Sequence, residues 1–188
     1  MRQLLVPFFL ILLLLHACQN GPENKGAANF FPVVSFIEGQ VHHVDSLQPT
    51  IQKLTTVNNQ TDTFPIETGA FDSLSKEFTT PDINDPALSK YYKENSFADQ
   101  TIASVTLTYA ATNKDLPLQR LDVIIHPDPV ANDRVQSIYM ERGTQVKDTL
   151  VLKKLYWRTD RNFQIITAKQ AGAWSASSVV KVVWNGGY

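Results

Sequence analysis

Twelve apolar residues run without interruption from Leu4 to Leu15, just behind Arg2. A helix that spans a bilayer needs about 20, so this run predicts a secretory signal segment and not a permanent membrane span. Gln19 to Asn29 (QNGPENKGAAN) is polar and lacks any apolar period, the pattern of a flexible tether. From Pro32 the spacing changes again. Val34, Ile37, Val41 and Val44 recur every three or four residues, which predicts an amphipathic helix over Pro32 to Leu47, with Pro32 in its first turn and Pro49 ending it.

Thr50 to Val57 and Thr61 to Ile66 are rich in Thr, Ile and Val around Asn58-Asn59, a hairpin signal. Phe71, Leu74 and Phe78 then return to helical spacing, which predicts a second helix over Thr68 to Phe78. Pro81 and Pro86 forbid its continuation, and a short helical turn is expected from Ala87 to Glu94. Past Thr101 the period becomes two. Val105, Leu107 and Tyr109, and later Leu121, Val123 and Ile125, alternate with polar residues. Four further segments, Arg134 to Arg142, Thr149 to Arg158, Asn162 to Gln170 and Ser178 to Trp184, complete an expected meander of about six strands. The predicted fold class is therefore α+β, with N-terminal amphipathic helices packed on a curved, mostly antiparallel β-sheet. The alternative is a β-sandwich in which the Thr50 to Ile66 hairpin joins a second layer.

Composition changes this picture little. The 188 residues carry 17 Lys and Arg against 18 Asp and Glu, a net charge of -1, with 43% hydrophobic residues. One folded domain fits that size. The balance lacks the clustered cationic excess that a nucleic-acid partner requires.

Leu15-His16-Ala17-Cys18 closes the apolar run and holds the chain's single cysteine, so no intramolecular disulfide can form. The tetrad resembles the lipobox of bacterial lipoproteins. That resemblance implies cleavage between Ala17 and Cys18 and a diacylglyceryl thioether on Cys18, with the new amino terminus acylated. The expected organisation is a cleaved signal peptide over 1–17, a tether over 18–29 and one α+β domain over 30–188. The lipobox, tether and small domain together resemble the uncharacterised lipoproteins of the Bacteroidota type. An acidic cluster after the cysteine, the surface-export signal of such proteins, is missing. The expected location is thus the outer membrane, on its periplasmic face.

Catalytic chemistry is sparse in the sequence. His42 and His43 diverge by about 100° on a helix; only His42 and Asp45 share a face, so no metal and no cofactor are expected. Asp82 to Ala87 begins like a calcium loop, but Pro86 and Ala87 stand where an oxygen ligand and a glycine belong. Asp and Asn beside proline more simply make turns. An enzyme would have to unite His126, Asp128 or Asp122 with a nucleophile such as Ser137. Asp45-Ser46-Leu47, Asp72-Ser73-Leu74 and Asp148-Thr149-Leu150 resemble the O-glycosylation acceptor of exported Bacteroidota proteins, Asp148-Thr149 best of the three.

The stretch Lys153 to Arg158 is the most suggestive for ligand binding. In a strand Lys154, Tyr156 and Arg158 face one way and Lys153, Leu155 and Trp157 the other. Lys154, Tyr156, Arg158 and Trp157 are the candidate ligand contacts, through stacking and charge-assisted hydrogen bonds. The expected function is a non-enzymatic binding or assembly module of the cell envelope, held to the membrane by its lipid, with an envelope protein or a glycan as partner. A carrier of an apolar ligand, or an envelope hydrolase, is the alternative.

Overall fold

The computed structural model describes residues 29–128 and 133–185. Leu15 to Cys18, with both cleavage-site residues, lies outside them, as do residues 19–28 of the tether. Nine strands form one fully antiparallel sheet, open at both edges, in the order β2-β1-β9-β8-β7-β6-β5-β4-β3. They are β1 (Ile51–Val57), β2 (Gln60–Ile66), β3 (Tyr92–Asp99), β4 (Ser104–Ala111), β5 (Leu118–His126), β6 (Arg134–Val146), β7 (Thr149–Arg158), β8 (Asn162–Ala171) and β9 (Trp174–Val183). Among the described residues two short helices, α1 (Val33–Leu47) and α2 (Thr68–Ser75), and two 3-10 turns, Lys76–Phe78 and Ser89–Tyr91, accompany the sheet.

This corrects the expected architecture. The sheet has nine strands and not about six, and among the described residues two short helices pack against one face of it. The chain is sheet-rich, as the alternative has it, but the Ile51–Ile66 hairpin joins the same sheet edge to edge: β1 pairs with β9, Gln52 opposite Val183. Asn58 and Asn59 turn this hairpin with φ of 48° and 64°, the left-handed pair that a two-residue turn between twisted strands favours. Of the helical turn expected from Ala87 to Glu94, the 3-10 turn Ser89–Tyr91 forms, and β3 takes over from Tyr92. Its residues Lys93 to Ala98 are all exposed, so no alternation was imposed on its sequence.

One face of the sheet buries the core. Tyr109, Leu121, Met140, Leu155, Ile165 and Val180 occupy one cross-strand row, and Val123, Ile138, Trp157, Phe163 and Val182 the next. Against them the helices and the following turn set Ile37, Val44, Phe71, Phe78 and Ile83, all essentially inaccessible. Trp157 stacks on Phe163 at 5.1 Å and meets Phe78 edge-on at 5.2 Å, while Phe71 meets Trp184 edge-on at 5.2 Å. Aromatic pairs in these geometries add to simple area burial.

Asn84 clasps the start of the domain to this core. Its Oδ1 accepts the Phe30 N–H at 3.0 Å and its Nδ2 donates to the Phe31 carbonyl at 3.3 Å. The Phe31 N–H donates to the Tyr109 hydroxyl at 3.1 Å. Asp82 accepts the Asn84 N–H and Asp85 the Ala87 N–H, so the calcium-like segment is a chain of turns.

Candidate functional site

The pleat sends Lys154, Tyr156 and Arg158 to the face of the sheet that carries no helices. Across the strands Asp122, Tyr139, Tyr156, Gln164 and Lys181 stand in one row of that face. Arg120, Glu141, Lys154, Ile166 and Val179 form the neighbouring row. Arg120 reaches along β5 to Asp122, with Nε at 3.0 and 2.9 Å from the two carboxylate oxygens and Nη2 at 2.9 Å from one of them. The Tyr139 hydroxyl donates to Glu141 at 2.6 Å, and Lys154 approaches the same carboxylate at 3.9 Å.

Burial first, and then the Glu141 carboxylate, push the Tyr139 phenol up to about 12. It therefore stays protonated, and donates, throughout the physiological range. The hydrogen bond to Asp122 similarly raises the Arg120 guanidinium, which is always charged. The surface is thus a prearranged set of donors and acceptors around two phenol rings, and Tyr156 is the more open of them at 38% exposure. Such a surface can stack against a flat apolar face while bonding hydroxyls or carboxylates beside it.

Trp157 does not belong to it. Its side chain is fully buried on the helix-covered face, which removes it from the candidate ligand contacts, because the pleat turns it away from Tyr156 and the helices close over it. Lys153 lies on that same inner face, in a cluster that sequence spacing does not reveal. Glu77, in the turn after α2, bonds Arg142 Nη1 at 2.9 Å and Lys153 Nζ at 2.5 Å. Arg142 also donates to the Glu77 carbonyl at 3.0 Å. This triad closes one end of the core.

Between the two helices lies a cleft of about 430 Å³, lined by Glu38, His42 and Asp45 of α1 and by Asp72, Ser75 and Lys76. One oxygen each of Asp45 and Asp72 is buried there with no hydrogen-bond partner among the described residues. Desolvation, and then the Asp45 charge, raise the Asp72 carboxyl above its ordinary value of 3.8. A raised folded-state pKa favours the fold where the group is protonated, and that benefit is lost as pH rises through it. Asp72→Asn is therefore expected to raise the melting temperature at pH 7, and the gain should vanish as pH falls below the carboxylate range. Thermal melts at several pH values check this; an equal gain at every pH would overturn it.

The remaining sequence candidates are dispersed. Among the described residues no group of three or more His, Cys, Asp or Glu is placed to hold a metal. His126 is exposed at the end of β5, opposite Arg134, whereas Ser137 is buried opposite Ile124 and Asp122 is engaged by Arg120. Ser46 donates to the His43 carbonyl and Ser73 to the Gly69 carbonyl within their helices, while Asp148 is exposed in the turn between β6 and β7. Among the described residues no helix is long and apolar enough to cross a membrane. Comparison of the chain with protein-family models, with curated proteins and with solved structures gave no match.

Proposed function

We propose that the chain is a membrane-anchored lipoprotein, fixed through Cys18 to the outer membrane on its periplasmic side, whose uncovered sheet face is a binding surface for an envelope glycan. The observation that carries the binding role is the Asp122, Tyr139, Tyr156, Gln164, Lys181 row with Lys154 and Arg158 beside it. Phenol rings flanked by fixed carboxylates, amide and cations suit a sugar, which offers apolar ring faces and hydroxyls together. An envelope protein docked on the same face is the other outcome of the test.

Titration of the protein with soluble envelope glycan fragments is expected to show binding that Tyr156→Ala weakens about tenfold, on the order of 1.4 kcal/mol. Unchanged affinity in Tyr156→Ala, Lys154→Ala and Arg158→Ala would overturn this surface as the site. Hydrolysis of the glycan, abolished by one substitution, would replace the binding module with an enzyme. The anchor has its own test: Cys18→Ala should no longer carry labelled fatty acid.

A carrier of an apolar ligand has less support. The space between helices and sheet is filled by Phe71, Phe78, Trp157, Phe163 and Trp184, which an acyl chain would have to displace.

A further inference from the structure

The sheet outgrows its helical cover. Beyond the row of Arg142 and Lys153, no side chain on the helix-covered face is buried among the described residues of β6 to β9. The β6–β7 and β8–β9 hairpins continue past that row side by side, since β7 and β8 are neighbours. Val146 and Trp174 stand on one face of this extension, 54% and 55% exposed, and Leu150 and Leu152 on the opposite face, 37% and 47% exposed. The turn between β8 and β9 adds Gly172 and Ala173, with no charge. Val57 is exposed in the adjoining row of β1, opposite Ser178.

We infer that these paired hairpin tips rest in the surface of a lipid bilayer. A protein partner covers one face of a ribbon, whereas this ribbon is apolar on both, and a lipid interface surrounds what it receives. Trp at a tip suits the headgroup boundary, where an amphipathic ring has both an apolar and a wet neighbour. Lys147 and Asp148 share the other turn and offset each other, and Lys169 on β8 is the one further charge of the extension, so the attraction is mainly apolar.

Chain geometry agrees, given the lipid on Cys18 proposed above. The domain begins at Phe30, whose ring packs 5.0 Å from Tyr109. Tyr109 lies in the row of Met140, and Val146 is six residue steps further along β6, roughly 20 Å at the rise of a strand. Eleven residues lead from Cys18 to Asn29, with a reach of at most about 36–40 Å. A lipid on Cys18 thus permits the tips to meet the same membrane surface.

The test uses the membrane-extracted protein reconstituted in phosphatidylcholine vesicles whose acyl chains are brominated near the glycerol. Trp157 and Trp184 are buried at 0% and 7% exposure, so Trp174 is the responsive fluorophore. Its emission is expected to shift to the blue and to be quenched by the bromine. Trp174→Phe should abolish the quenching, Val146→Asp with Leu152→Asp should reduce it, and raised salt should leave it unchanged. Vesicle-bound protein with unquenched Trp174 overturns the inference while leaving the anchor standing. The mass of the amino-terminal peptide judges the anchor separately. If the thioether is missing, full-length Cys18→Ala protein mixed with the same vesicles decides the tips alone: quenching upholds them and its absence refutes them. Sedimentation that shows a dimer lost in Trp174→Phe, with no quenching, would give the tips to a second copy of the chain instead.

Discussion

Replacing Trp157 by alanine is expected to cost about 3–5 kcal/mol of folding stability. The indole is fully buried and lies against Phe71, Phe78, Phe163 and Trp184, with ring centroids 5.1 to 6.3 Å away. Those partners come from α2, the turn after it, β8 and the segment following β9, so a cavity here loosens every layer at once. For a domain of this size the midpoint should fall by about 6–20 °C. Trp157→Phe is expected to cost much less. The indole N–H has no hydrogen-bond acceptor among the described residues, so phenylalanine removes volume and also an unpaired polar group. Thermal or urea unfolding of both variants measures the difference. Equal losses would show that the N–H has a partner whose removal matters.

Glu77→Ala is the second substitution with a large expected effect, about 2 kcal/mol. Arg142 and Lys153 stand directly opposite each other on β6 and β7, and Glu77 is the carboxylate that bonds both. Without it, two like charges face each other across the strands. The three side chains are 19%, 27% and 30% exposed, so water relieves part of the roughly 3–5 kcal/mol that a fully buried broken pair costs. Lys154→Ala, by contrast, should change stability by less than about 0.5 kcal/mol, because Lys154 is 61% exposed and 3.9 Å from Glu141. Adding Lys153→Met to Glu77→Ala should recover part of the loss by removing the repulsion. A double variant no more stable than Glu77→Ala would show that the cost arises from lost helix-to-sheet contact and not from charge.

Both residues bear on how the proposed surface is held. Trp157 and Lys153 alternate with Tyr156 and Lys154 along β7, so the packing that locks the inner face also fixes which side chains the outer face presents. A slip of one residue would bury Tyr156 and expose Trp157.

Much of this was legible locally. The alternation of Val105, Leu107 and Tyr109 and of Leu121, Val123 and Ile125 marks the inner faces of β4 and β5. The spacing of Val34 to Val44 foretells a helix near where α1 runs, and Asn58-Asn59 marks a turn that takes the left-handed conformation. The opposition of Tyr156 to Trp157 follows from the pleat alone, but which of the two faces would be covered does not. β3 escaped because an exposed edge strand such as YKENSFAD has no buried face to impose a period. The joining of β1 to β9, the Asn84 clasp on Phe30 and Phe31, and the Glu77 cluster were illegible for another reason. Their partners are separated by 53 to 76 residues for the clasp and cluster, and by the intervening seven strands for β1 and β9.

From the chain itself come the apolar run Leu4 to Leu15, a length that fits one domain, the near-neutral charge balance and the face that each residue takes within its own strand or helix. These depend on composition and on periods of 2 and 3.6, which neighbouring residues set among themselves. Strand order, the covering of one sheet face, the bare hairpin tips and the row of Asp122, Tyr139, Tyr156, Gln164 and Lys181 belong to the folded molecule. They arise when distant segments compete to bury apolar surface against one another, and that contest depends on the whole set of contacts formed together.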